Sequence, residues 1–447
     1  MVERDSVDLD DLARLSGESV DAIRHWRDLG LLIGADVSEN VERARLIRFA
    51  ERRGIPPDEV ARISADQGDM LASFTRWALQ SGRGSLYTRR EAAERCGLDT
   101  DLVDQIWAAA GLLDQPGAYE EDLEALQLVA TALKFGLPVD VLLQLLRVFA
   151  DSLGRVSDAA TRVFHLHVHE QFRVQGLHGA ELLAATQSIA DPLTGLIEPA
   201  VMYFHRKSWE RANREDLLLH LREESTAPGE LVRAMLFVDL SSYTPLTEAM
   251  GDAAAASVVG QFSDIVREAA AAHDGQIVKQ IGDEFMLAFP TARTAVGFGI
   301  GIRARAHAQP NFPGLRIGAH CGPVLFREGD YYGATVNLAA RVTSAAARDQ
   351  FLITEALRGQ IAGSGIDTTT VGSRSLKGIS GDVELYEVEP SDRHERLIDP
   401  VCGMALDLSV GGAVHLDWEG TDVWLCSENC RDRFLDAPDR YSHTASG

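Results

Sequence analysis

Near residue 225 the spacing of the apolar residues changes period, and that change sets the architecture this chain can adopt. From Leu142 to Glu224 apolar residues recur at helical spacing, with Pro192 and Pro199 as the expected breaks. Ser225-Thr226-Ala227-Pro228-Gly229 reads as a linker. Beyond it short apolar runs alternate with helical stretches: a buried strand over 234–240, a helix over 253–272, a hairpin over 276–289, a helix over 292–307, and a strand and turn over 315–325. The pattern predicts an all-helical half followed by an α+β sandwich. At 447 residues the chain exceeds what one core can organise. No apolar run approaches the ~18 residues of a membrane span, so no membrane partner is expected. The polar start Met1-Val2-Glu3-Arg4-Asp5 leads into no apolar signal region, and a cytoplasmic location is expected.

The helical half repeats itself. Leu12-Ala13-Arg14-Leu15-Ser16-Gly17 leads through Trp26 to Gly30-Leu31-Leu32 and Gly54-Ile55-Pro56, and Ala92-Ala93-Glu94-Arg95-Cys96-Gly97 leads through Trp107 to Gly111-Leu112-Leu113 and Gly136-Leu137-Pro138. The offset drifts from 80 (Gly17 to Gly97) to 82 (Pro56 to Pro138), as loop insertions produce. Each copy reads as helix, tight turn, second helix and a further helix entered through Gly-x-Pro, with the first unit placed at 1–80 and the second, with the regulatory helices, at 81–225. The stretch from Ser19 to Leu32 resembles the helix-turn-helix of MerR-type regulators, in which Arg24 and Arg27 would face DNA. The charge balance opposes that use: residues 1–80 hold 11 Lys and Arg against 16 Asp and Glu, and the whole chain carries a formal charge of -24. The second copy has Asp104-Gln105-Ile106 where arginines would be needed. Reuse as a regulatory or dimerising module is the expectation.

Further on, Phe164-His165-Leu166-His167-Val168-His169 sets His165 and His169 four residues apart, a spacing suited to metal ligation or proton sensing. Ordinary surface histidines would look the same.

In the second half two peptides carry the chemistry, Phe237-Val238-Asp239-Leu240-Ser241-Ser242-Tyr243 and Lys279-Gln280-Ile281-Gly282-Asp283-Glu284-Phe285. Asp239 at a strand end, followed by a serine-rich turn into a helix, offers a carboxylate for a metal and free backbone N–H groups for phosphate. Asp283 stands in the hairpin turn, where Gly282 permits a tight backbone. A carboxylate pair is what two hard cations at a polyphosphate need, although each aspartate viewed singly serves equally well as a turn cap.

With Asp330-Tyr331-Tyr332-Gly333 and Asn337-Leu338-Ala339-Ala340-Arg341 downstream, the region from Ala234 to Val388 resembles the class III nucleotide cyclase catalytic domain. The resemblance implies a ferredoxin-like α+β domain, placed at 226–390, that converts ATP to 3′,5′-cyclic AMP and pyrophosphate. It implies that Asp239 and Asp283 hold two Mg²⁺ or Mn²⁺ ions, that Lys279 and Asp330 recognise adenine, that Asn337 and Arg341 serve the transition state, and that Arg316 and Lys377 hold the polyphosphate. It also implies a homodimer with shared sites, one subunit supplying Asp239, Asp283 and Arg316 and the other the remainder, governed by an N-terminal region like the autoinhibitory, in some relatives pH-responsive, domains of bacterial cyclases. Ile281-Gly282-Asp283-Glu284-Phe285 also looks like the diguanylate cyclase signature, but it lacks that motif's first glycine. The competing class is a non-catalytic MerR-like DNA-binding regulator whose cyclase-like domain only senses nucleotide.

Asp399-Pro400-Val401-Cys402-Gly403-Met404 and Trp424-Leu425-Cys426-Ser427-Glu428-Asn429-Cys430 resemble the YHS (TRASH-like) metal-binding module, placed at 395–447 as a small α+β unit. Cys-x3-Cys with a distant third thiolate, Cys402, suits zinc or copper(I), with His415 considered as a fourth ligand. A reduced, metal-free fold with these cysteines in its core is the alternative.

Overall fold

The computed structural model describes residues 8–72, 75, 85–113, 115, 117–221, 230–389, 397–409 and 411–441. It divides into two units, Met1–Glu224 and Ser225–Gly447. The expected linker at 225–229 lies outside the described residues.

The first unit opens with α1 (Leu9–Ser16), α2 (Val20–Asp28), α3 (Val37–Glu51) and α4 (Pro57–Gln67). After β1 (Tyr87–Thr88) come α5 (Arg89–Cys96), α6 (Thr100–Ala109), β2 (Gly117–Ala118) and α7 (Glu120–Lys134). The two runs are built alike because the same residues perform the same local tasks. Gly17 and Gly97 end α1 and α5 in the left-handed conformation, at φ 71° and 65°, which glycine adopts without a Cβ penalty. Ser19 and Asp99 cap α2 and α6 through their side-chain oxygens. Trp26 and Trp107 are each only 2% exposed and centre separate cores, one with Leu12, Ile23 and Ile47, the other with Val103, Leu123 and Leu126. The second run alone, among the described residues, adds a β1–β2 ladder. The Tyr119 hydroxyl donates to Glu42 at 2.9 Å and ties the runs together.

Two long helical passages follow. α8 (Val139–Phe164) passes through a π-helical turn, His165–His169, into α9 (Glu170–Val174), and α10 runs from Gly179 to Leu221. α10 continues through Pro192 and Pro199, which corrects the expectation that they break the pattern. A proline removes one hydrogen bond at about 3 kcal/mol, and 43 residues of helix leave the remaining ladder to carry the chain across. Of α8 only Leu142 is buried. Phe149, Leu153, Val156, Leu196, Phe204 and Trp209 all stand exposed.

The second unit begins with β3 (Glu230–Leu240), α11 (Tyr243–Met250) and α12 (Asp252–Ala272), followed by the hairpin β4 (Gln276–Ile281) and β5 (Glu284–Phe289), α13 (Ala292–Ala308) and β6 (Leu315–Arg327). These strands lie in the order β4-β5-β3-β6, all antiparallel, which is the ferredoxin-like βαββαβ arrangement. β7 (Asp330–Tyr332) folds back on the end of β6, α14 spans Ala334–Ala345, and β8 (Phe351–Thr354) extends the sheet parallel to β6. α15 (Glu355–Ile361), β9 (Thr368–Ser375) and β10 (Asp382–Val388) complete it. Alternation along β3 divides its neighbours. Ala234, Leu236 and Val238 bury against Phe262 of α12 and Phe298 of α13, while Met235 and Phe237 share the other face with Ala339 of α14. α14 lies hard on that face at Gly318, where a Cβ would sit 2.1 Å from the Thr343 amide nitrogen.

The C-terminal segment contains β11 (Leu397–Ile398), β12 (Ala405–Leu406), the hairpin β13 (Val414–Trp418) and β14 (Thr421–Leu425), α16 (Glu428–Asp436) and α17 (Pro438–Tyr441). Among the described residues its core is shared with α11. Val401, Met404, Val423, Leu425 and Phe434 bury together with Leu246 and Ala249 of α11.

Candidate active site

Antiparallel register brings the first group together. Asp239, next to last on β3, lies opposite Glu284 on β5 and Arg316 on β6. The turn between β4 and β5 passes through Gly282 at φ 64° and presents Asp283 beside them. Arg316 forms an ion pair with Asp239 through one terminal nitrogen, and its Nε is buried with no partner among the described residues. Burial first, and then the nearby Asp239 charge, push Asp283 up to about 6. Glu284 is pushed up to about 7 by burial, then by Asp239 and Asp283. Three half-buried carboxyls facing one guanidinium leave negative charge uncompensated, and their hard oxygen donors fit a magnesium-class cation. Glu284 was not singled out in the sequence, where it reads as the first residue of an apolar strand. Only the cross-strand register places it opposite Asp239.

A second group lies on β4 and β7. Lys279 forms an ion pair with Asp330, whose other oxygen accepts from the Tyr331 amide at 2.8 Å. Asn337 and Arg341 are exposed on successive turns of α14, a helix anchored at its start by the Thr335 hydroxyl donating to the Pro323 carbonyl at 2.7 Å. Lys377 is exposed in the turn between β9 and β10. Around the Lys279–Asp330 pair the surface is apolar: Ile281, Leu325, Phe326 and Tyr332 are each 44% exposed or more.

The remaining sequence candidates fall outside both groups. Cys402, Cys426 and Cys430 converge in the C-terminal segment with Asp399 as the fourth group, which the sequence reading passed over. His415 does not join them. It is exposed on β13, its Nε2 hydrogen-bonded to the Asp422 carboxylate at 2.6 Å and its ring packed on Trp424. His165 and His169 stack at 4.8 Å within the π-helical turn, His165 facing Glu170 at 3.6 Å and His169 facing the Thr186 hydroxyl at 3.4 Å, while His167 is exposed. On α2, Arg24 is held by Asp21 at 2.6 Å.

Two family profiles match the chain: the adenylate and guanylate cyclase catalytic domain over residues 230–390, and the adenylate cyclase regulatory domain over residues 27–204. A pH-sensitive adenylate cyclase of Mycobacterium tuberculosis is 27% identical over 362 residues, 78% of this chain and 88% of the relative. An adenylate cyclase of Streptomyces coelicolor is 28% identical over 312 residues, 68% of this chain and 79% of the relative. Among solved structures, an adenylyl cyclase from P. aeruginosa is 24% identical with a TM-score of 0.32, covering 37% of this chain and 97% of that one. No described helix is long and apolar enough to cross a membrane.

Proposed function

We propose that this chain is an adenylate cyclase, converting ATP to 3′,5′-cyclic AMP and pyrophosphate at sites completed by two copies of the chain. The observation that carries the reading is the division of labour on one domain: a carboxylate and arginine group at the end of β3, and a separate Lys279–Asp330 pair beside the exposed Asn337 and Arg341. Each group is half of a nucleotide site. The apolar rim at Ile281, Leu325, Phe326 and Tyr332 gives a second copy a surface to cover, and so do the exposed apolar residues of α8 and α10.

In the reaction the ribose 3′-oxygen attacks the α-phosphorus, the bond to the β-phosphate oxygen breaks, and the hydroxyl proton leaves to solvent or base. Asp239 and Asp283 would hold two Mg²⁺ or Mn²⁺ ions, which supply, when bound, the charge that acidifies the hydroxyl and neutralises pyrophosphate. Arg316 exchanges its contact with Asp239 for a phosphate oxygen, and its unpartnered Nε gains an acceptor. Lys377 of the second copy adds a further positive charge at the polyphosphate. On the partner side Lys279 donates to a ring nitrogen of adenine and Asp330 accepts from the exocyclic amine. Guanine would present a carbonyl to the carboxylate and a ring N–H to the ammonium, so the pair rejects it. Asn337 orients the ribose and Arg341, one helical turn on, faces the α-phosphate.

The helical first half acts as the regulatory region. The turn that stacks His165 on His169, with Glu170 beside His165, is the proposed pH-responsive element. The helix-turn-helix runs are reused there as packing units in place of DNA readers. Assay of the purified chain with ATP and Mn²⁺ tests the whole: cyclic AMP is expected, and its absence, or equal output from Asp239→Ala, sinks the enzyme reading.

A further inference from the structure

Among the described residues one group of metal-type side chains has all its donor atoms within 4.8 Å of one another: Asp399, Cys402, Cys426 and Cys430. The sulfur atoms of Cys402 and Cys426, and of Cys426 and Cys430, are 3.6 Å apart. A disulfide needs about 2.05 Å. The edge of a tetrahedron with zinc–sulfur bonds of about 2.3 Å is ~3.8 Å, which this spacing approaches. Asp399, Cys402 and Cys430 are fully buried. Asp399 also organises the approach to the site, one oxygen accepting from the Val401 and Cys402 amides (2.8 and 3.2 Å) and the other from the Cys426 amide (2.7 Å). Three thiolates with one hard carboxylate favour zinc over the softer copper(I).

The residues next to these ligands are the ones that grip the loop after Asp239. Gly403, directly after Cys402, turns at φ 72° and presses against Ser242, whose Cβ would lie 2.5 Å from any Cβ placed there. The Gly403 carbonyl accepts from Arg348, and the same guanidinium nitrogen donates to the Ser241 hydroxyl at 3.3 Å. Ser241 in turn donates from both amide and hydroxyl to the Gly314 carbonyl at 2.8 Å. Met404 bridges to Pro313, and the Ala405 amide donates to Phe312 at 3.3 Å. On the other side Asn429, directly before Cys430, donates to the carbonyl of Ala249 near the far end of α11. The four-ligand group therefore holds the Ser241–Met250 segment at both ends, and the chain leading into Arg316 besides.

We propose that occupancy of the Asp399, Cys402, Cys426 and Cys430 group by one zinc ion clamps the loop and helix that follow Asp239, making the catalytic geometry dependent on a metal that takes no part in the chemistry. The catalytic part of this inference rests on the cyclase reading above; the clamp itself does not. The full-length chain, stripped of metal under reducing conditions, is titrated with Co²⁺ and with Zn²⁺. One Co²⁺ per chain with a thiolate charge-transfer band and tetrahedral visible bands is expected, and both are lost in Cys426→Ser. Amide hydrogen exchange is then compared with and without Zn²⁺: residues 241–250 and 312–316 should exchange at least tenfold more slowly when zinc is bound. Arg348→Met, which leaves all four ligands in place, should still bind one metal but lose most of that protection at 241–242. Cobalt uptake without a thiolate band overturns the site, and unchanged exchange at 241–250 in zinc-loaded protein overturns the clamp. Zinc-dependent protection in a chain that forms no cyclic AMP supports the clamp and overturns only the catalytic reading.

Discussion

The Asp283 and Glu284 carboxyls beside Asp239 would make metal affinity at the proposed catalytic site steeply pH-dependent, in a direction and by an amount that can be worked out. Asp283 is pushed up to about 6 and Glu284 to about 7, chiefly by burial and then by neighbouring carboxylate charge. A divalent cation must displace whatever protons these groups carry. At pH 8 Asp283 is almost wholly ionised, and at pH 5 only about one molecule in eleven is. Affinity for Mn²⁺ should therefore fall about elevenfold, or about 1.4 kcal/mol, if Asp283 alone limits binding. It falls about a thousandfold if Glu284 must ionise as well. Because both acids are raised in the folded protein, their contribution to stability without metal is full below about pH 4 and is lost as pH rises through 6 and 7. Added Mn²⁺ should accordingly raise the melting temperature more at pH 8 than at pH 5. Titration calorimetry in two buffers of different ionisation enthalpy reads both affinity and proton release, and Mn²⁺ has little preference for the thiolate group. Glu284→Gln should flatten the dependence by removing one titrating acid and one like charge beside Asp283. An affinity constant across pH 5 to 8, or no proton release at pH 6, would refute the reasoning.

Other consequences are more direct. Asp239→Ala and Asn337→Ala should each be inactive alone, but mixed as equal amounts and allowed to exchange subunits they should recover about a quarter of wild-type cyclic AMP output, since half the dimers are mixed and each holds one intact site. No recovery would place a whole site on one chain. Asp330→Asn should weaken ATP use by about 1–3 kcal/mol in kcat/KM and narrow its advantage over GTP, measured by competition between the two. Gly318→Ala should lower thermal stability by about 1–3 kcal/mol or more, because the new methyl meets backbone of α14 and no flexible side chain.

What the sequence disclosed and what it withheld follow a physical line. Local chemistry was legible: the tight turns after Gly17 and Gly97 that separate paired helices, and the hairpin turn that Gly282 permits at Asp283. These depend on a few consecutive residues. Glu284 was illegible because its importance comes from facing Asp239 across two strands, a relation fixed by register. Asp399 was missed for a similar reason, since its carboxylate gains meaning only when the folded chain carries the Cys426 amide to it. His415 misled because a histidine near cysteines looks like a ligand, whereas β13 points it at Asp422 and Trp424. Pro192 and Pro199 misled because their local cost is real but small beside the ladder of a 43-residue helix.

Arg348 shows how these separate features act on one another. It lies just beyond α14, the helix that presents Asn337 and Arg341, and its guanidinium reaches both Ser241, two residues after Asp239, and Gly403, one residue after Cys402. A small rotation of α14 therefore cannot occur without moving the Arg348 anchor, and so the loop beside Asp239 and the thiolate group feel it together. In the proposed homodimer those two parts of one chain would serve different sites, α14 facing one nucleotide and Asp239 the other. On that proposal the Arg348 contact would be a physical route by which binding at one site alters the carboxylate group of the second, and a chain whose thiolate group is filled should couple its two sites more tightly than one whose thiolates are free. Arg348→Met should abolish that coupling, read as loss of any cooperativity in ATP dependence, while the Lys279–Asp330 preference for adenine stays intact. Cooperativity unchanged in Arg348→Met would separate the thiolate group from communication between the sites.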